Sequence, residues 1–296
     1  MKRNWPTVVP AILLSLIISC KTAVNTDSLK AIDTVLVQEI TVLPMIDGLG
    51  DDICWGNAEW LPLDQVWMPW GEKVDSTDFY GRFKLAWSER ENLLYVLLEV
   101  RDDVWSVGFE PGVSAKIFNF DMFEVFIDED RSGGTHVFDG TGTIDSIYGE
   151  NGENAFGYHI LTVFKDSILD MEASYVHDLA GTCWDSSLTV DYRDHFNEFG
   201  GREEGTLHRW EFSLIVYDDS FEPFGDNSGA RVHLVPGKIM GFTLAYNDDD
   251  DPGTDPAESV RDNFFGSVPV EKDGWNNHWM NADGFGVIKL VEKLKN

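Results

Sequence analysis

From about residue 39 the apolar positions fall in short runs, alternating with polar residues or continuous, and Gly, Asp, Asn and Pro separate them. Alternation with a period of two marks half-buried strands, and short continuous runs fit strands covered on both faces. Strands are predicted at 82–87, 93–100, 122–128, 157–164, 187–192, 210–216, 240–246 and 285–291, with Glu91-Asn92 as a hairpin tip between the first two. No apolar 3.6-residue period of helix length follows the N-terminal segment, and no repeat of 20–50 residues is visible. The pattern predicts one all-β domain over residues 41–296, an antiparallel β-sandwich.

Strand periodicity also assigns faces. In 122–128, Phe123, Val125 and Ile127 are uniformly apolar and should face the core. Glu124, Phe126 and Asp128 then share the opposite face. Phe118, just before this strand, and Trp279, just before 285–291, each lie in a polar, turn-rich stretch. Were the two strands neighbours in one sheet, Phe118 and Trp279 would stand on one rim, as walls for a flat ligand such as a sugar ring.

The N-terminus has different patterning. Lys2 and Arg3 precede an apolar run from Val8 to Ile18, too short to span a membrane comfortably, and Ile17-Ile18-Ser19-Cys20 follows the form of a bacterial lipobox. Residues 1–19 are read as a lipoprotein signal peptide, with Cys20 as the lipidated first residue of the mature chain. An ordinary signal peptide with an incidental Cys20 is the alternative. Residues 20–40, mostly polar, are read as a tether. The expected location is the bacterial cell envelope, at the outer membrane or cell surface, with the lipid anchor as the only membrane contact. Cys54 and Cys183 remain, either as one disulfide or as two buried thiols.

Charge narrows the partners. The chain has 22 Lys and Arg against 52 Asp and Glu, a formal charge of −30. It repels nucleic acid and anionic lipid and suits neutral ligands or divalent cations. Hydrophobic content of 43% is ample for a folded core. Acidic loops at 129–156 and 247–262 are long enough to suggest binding. Hard oxygen ligands gathered in loops suit Ca²⁺, with Asp128 and Asp130, or Asp248 and Asp250, as candidates. The 7 histidines show no zinc spacing, and there is no Gly-x-Ser-x-Gly.

The order of landmarks resembles the family 9 carbohydrate-binding modules. Ile46-Asp47-Gly48, Asp51-Asp52 and Trp55 match its opening. Asp121-Met122-Phe123-Glu124-Val125-Phe126-Ile127-Asp128, Gly241-Phe242 through Asn247-Asp248 and the closing Phe285-Gly286-Val287-Ile288-Lys289-Leu290 continue the resemblance across residues 41–292. It implies a sandwich that grips a terminal sugar unit between two aromatic rings, with structural calcium. The rings correspond to Phe118, where sugar-binding members have Trp, and to Trp279 in Asn276-Asn277-His278-Trp279. Glu124 corresponds to the strand carboxylate, and Tyr158, with His159, lies where the family often has a polar contact. The implied ligand is an oligosaccharide or polysaccharide, bound without catalysis. Trp55, Trp87 and Trp210 read as structural, whereas Trp67, Trp70, Trp105 and Trp275 could extend the platform. Arg261 suits a salt bridge or a sugar contact. Two alternatives stay open: a glycosidase-type enzyme, since 52 acids supply carboxylate pairs readily, and a haem-binding redox module using Met240, Met280 or His278.

Overall fold

The computed structural model describes residues 34–110, 116–134, 136, 155–178, 190–221, 226–251, 255, 257–272, 274 and 277–293. The strands in chain order are Val35–Glu39 (β1), Leu61–Leu63 (β2), Gln65–Met68 (β3), Phe79–Ser88 (β4), Leu93–Asp102 (β5), Met122–Asp128 (β6), Phe156–Leu161 (β7) and Phe164–Lys165 (β8). Then come Ile168–Leu169 (β9), Tyr175–Asp178 (β10), Val190–Asp191 (β11), Phe196–Glu204 (β12), Leu207–Leu214 (β13), Ile239–Asp248 (β14), Asn263–Gly266 (β15) and Gly286–Val291 (β16). The only helical segments among the described residues are 3-10 turns of three to five residues.

The strands form one curled sheet in the order β11-β10-β7-β6-β14-β16-β1-β4-β5-β13-β12-β9-β8, with β15 on β14 and β3 and with β2 on β4. The all-β sandwich expected from the sequence is present, with one difference in pairing. β1 runs parallel to both β16 and β4, so the sheet is mixed and its two layers are continuous through β1. β1 also corrects the tether boundary, since it starts at Val35 inside the stretch assigned to residues 20–40. It is a strand because Val37 is buried between the layers while Leu36 stays exposed. The turn after β4 includes Glu91 and Asn92; Asn92 is left-handed at φ 57°. Its side chain bonds the Val232 carbonyl and the Leu234 N–H.

The inner faces meet in one apolar core. Phe123, Val125 and Ile127 of β6 face Trp210 and Phe212 of β13 and Leu85 and Trp87 of β4, all in one contiguous cluster. Phe123 lies 5.1 Å from the Trp210 ring, and Phe79 stacks on Phe265 at 3.9 Å. Trp55, Trp87 and Trp210 are fully buried, as their patterns indicated. Each such side chain contributes roughly 1.5–3 kcal/mol through burial. Cys54 is a free buried thiol whose pKa burial pushes up to about 11. Cys20 and Cys183 lie outside the described residues.

Candidate saccharide face

The outer face of β6 is set by its alternation, and the pairing fixes its neighbours. Glu124 stands opposite His159 of β7 on one side and Ala245 of β14 on the other. Met122 stands opposite Asn247, and Asn247 in turn opposite Phe264 of β15.

A polar group is buried there. The Asn247 amide donates to Glu124 Oε1 at 2.7 Å, and the His159 ring nitrogen lies 3.6 Å from the same oxygen. Arg261 donates to the Asn247 carbonyl oxygen, so a neutral amide links the guanidinium to the carboxylate. Glu124, His159, Asn247 and Arg261 are 2%, 4%, 0% and 6% exposed. Burial draws the Arg261 pKa down to about 10, opposed by Glu124, and lowers that of His159 against the same carboxylate. Arg261 remains charged at neutral pH. Its guanidinium is held between the Phe118 ring at 4.8 Å and the Phe264 ring at 4.3 Å, a geometry in which a cation is stabilised by both faces.

Aromatic clusters flank this group along the strand. At the Met122 end, half-buried Phe118 packs on Ile117, Phe120, Met122 and Leu161. At the Phe126 end, half-buried Trp279 packs on a cluster of Trp67, Phe126, Phe264 and Phe285. Met122 and Phe126 are four residues apart, so about 13 Å separates the two ends, with Glu124 midway. Behind Trp279, His278 is stacked between Trp67 at 4.5 Å and Phe285 at 5.6 Å and bonds the Gly284 carbonyl at 3.0 Å. His136 bonds the His278 carbonyl at 2.8 Å. The Trp279 indole nitrogen is buried with no hydrogen-bond partner among the described residues.

Not every expected residue reaches this face. Tyr158 is corrected: it points into the core, 1% exposed, with its hydroxyl 2.7 Å from His195 Nδ1. The phase of β7 puts its neighbour His159 on the outer face instead. Asn277 is an exposed turn residue whose carbonyl accepts from Met280 and Asn281. Asn276 and Trp275 lie outside the described residues. Met240 is buried in the core.

The acidic residues separate into distinct places. Asp102 at the end of β5, Asp121 before β6 and Asp248 at the end of β14 bring one carboxylate oxygen each within 4.8 Å of the others, all buried. Asp250 belongs to a more exposed group with Asp78 and Asp103. Asp128 and Asp130 are in neither group. Asp128 accepts from the Arg131 N–H at 2.7 Å and the Gly133 N–H at 2.8 Å, and Asp130 from the Ser132 N–H, so both shape the loop after β6. Burial, reinforced by adjacent carboxylates, raises Asp102 to about 7 and Asp248 to about 9, and Asp121 moves the same way. The donor set is hard oxygen only, which fits Ca²⁺. Asp102 and Asp121 escaped the sequence reading because three separate strand ends meet only in the folded register.

Residues 46–179 match the family model described as carbohydrate family 9 binding domain-like. A solved carbohydrate binding module of family 9 from Caldicellulosiruptor kristjanssonii, in complex with glucose, is similar at 20% identity and a TM-score of 0.55, covering 89% of this chain and 98% of that one. A protein from Bacteroides uniformis, described as a candidate carbohydrate-binding protein, aligns at 12% identity and a TM-score of 0.46, over 87% of this chain and 98% of that one. No curated protein matches.

Proposed function

We propose, from the match of residues 46–179 to the family model described as carbohydrate family 9 binding domain-like, that the protein binds a saccharide, without catalysis, on the outer face of β6 between Phe118 and Trp279. The observation that carries this reading is the order along one strand face: aromatic cluster, buried polar group, aromatic cluster. Axial C–H bonds of a pyranose pack on aromatic faces, and its hydroxyls need fixed polar partners once water is removed. Arg261 and Glu124 are the polar groups held in place for them, with Asn247 fully buried between the two as their link. The similar solved module in complex with glucose supports a sugar as the ligand class. The other carboxylate on this strand face, Asp128, is about 13 Å from Glu124 by strand rise, beyond the ~5–10 Å of a glycosidase pair.

Ca²⁺ is the proposed structural ion, held by Asp102, Asp121 and Asp248. When bound it would neutralise three clustered carboxylates and tie together the ends of β5, β6 and β14. Lipidation at Cys20 would hold the domain at the bacterial envelope, where free oligosaccharides or polysaccharide ends are its ligands.

Titration calorimetry and a broad glycan panel test the central claim, with wild-type protein in calcium-containing buffer. Saturable binding that is lost in Arg261→Ala is expected. Silence across the panel from folded, calcium-loaded protein would sink the sugar reading.

A further inference from the structure

We propose that Trp70 is a second stacking platform beside the Trp279 cluster, so that the ligand is a chain of at least two sugar units rather than a single one. The inference rests on the saccharide reading above and extends it to ligand length. Two tryptophans of one segment are hung on the same stretch of backbone. The Trp67 indole N–H donates to the Val268 carbonyl at 2.7 Å, and the Trp70 indole N–H donates to the Val270 carbonyl at 3.1 Å. The two acceptors lie two residues apart in the segment that follows β15. Each indole is tied to that segment by its polar edge. Trp67 is fully buried and stacked on His278 in the cluster that seats Trp279. Val270, which anchors Trp70, packs on that same cluster.

Their exposures differ sharply: Trp67 is 0% and Trp70 is 47% exposed. A tryptophan left half in water serves no packing purpose by its outer surface, yet its polar edge is tied to the backbone, so the ring is fixed in orientation. A flat apolar surface held in advance loses little conformational entropy on contact, which is what a sugar platform requires. Met280, next to Trp279 in the chain, is also exposed at 38%.

The test compares glucose, cellobiose and cellotetraose by calorimetry, with affinity electrophoresis in gels containing soluble β-glucan, xylan or mannan, on wild type, Trp70→Ala and Trp70→Phe. Wild type should bind the longer ligand or the polymer more tightly than the monosaccharide. Trp70→Ala should weaken that longer ligand about 5- to 20-fold, leave monosaccharide affinity within twofold and leave the melting temperature in place. Trp70→Phe keeps a flat ring without the N–H and should fall between, which preserves the test if the alanine variant folds poorly. Equal affinity for all lengths in wild type, or retention of polymer affinity in Trp70→Ala, overturns the proposal while leaving the saccharide face intact. Wild type that binds none of these ligands overturns both.

Discussion

Glu124 and Glu211 are both glutamates buried in mid-strand on an outer face, one on each layer of the sandwich, and their surroundings could hardly differ more. Glu211 accepts from the Gly48 N–H at 2.8 Å, the Asp47 N–H at 3.3 Å and the Trp55 indole at 2.7 Å. Those donors all come from one covering loop. The loop fits because Gly200 has no Cβ where the Ile46 carbonyl lies 2.4 Å away, and because Gly48, at φ 78°, presses against Gly201. Burial raises the Glu211 pKa while these donors hold it back. Glu124, by contrast, has the Asn247 amide and a histidine at 3.6 Å. At the Phe126 end of the same face, hydrogen-bonding capacity is left over: Nδ1 of His136, Nδ1 of His278 and the Trp279 indole N–H are buried without partners among the described residues. A buried carboxylate enclosed by donors of its own chain is architecture. One set among unmatched donors and acceptors is suited to a ligand whose hydroxyls can do both.

The largest expected effect comes from the proposed ion, which would join β5 of one layer to β6 and β14 of the other. Chelation should lower the melting temperature, because an ion bound only to the folded state stabilises it by about 4 kcal/mol at 1000-fold saturation. Asp248 adjoins Asn247, so metal-free protein should also bind saccharide less tightly, and a chelator that changes neither would remove the proposed ion. Glu211→Ala comes next. Stranding several buried donors should cost about 3 kcal/mol in urea melts, yet the folded fraction should bind saccharide as wild type does. Loss of binding in that variant would erase the distinction between the two glutamates.

Trp279→Ala should weaken saccharide binding by about 2 kcal/mol, and Phe118→Ala by about 1 kcal/mol, both read by calorimetry. Because Trp279 also packs on Phe126 and Phe285, a modest fall in stability is expected alongside. A large fall with unchanged affinity would make it a core residue. The smallest effect per group is on pH. Burial pushes His136, His208 and His278 down to about 4 and His195 to about 3, below the ordinary 6.5. The unfolded chain takes up these protons first, so each histidine contributes stability above pH 6.5 that is lost as pH falls toward the folded value. Unfolding free energies from urea melts in calcium buffer should drop by about 1 kcal/mol per histidine between pH 7.5 and 5.5. A flat profile over that range would contradict their burial as neutral groups.

How much of this could be read beforehand depends on how local each signal is. The long strands β4, β5, β6, β13 and β14 announced themselves through uninterrupted apolar patterning. β12 did not, because Asn-Glu-Phe-Gly-Gly-Arg-Glu-Glu reads as a polar loop until Gly200 and Gly201 are seen to make room for residues 46–48. The Asp47-Gly48 and Trp55 landmarks were visible, but their purpose was not, since Glu211 is 156 residues beyond Trp55. The same holds for the acidic triad. Tyr158 was an avoidable error: Phe156 and Ile160 are inward, so the phase of β7 already pointed to His159 as the outward residue.

The position of β1 has a mechanical consequence. Any pull arriving from the N-terminal side enters the domain at Val35, and β1 is bonded on both edges to strands running in its own direction. Tension along that strand loads the bonds to β16 and β4 in shear, so they must fail together instead of opening one after another.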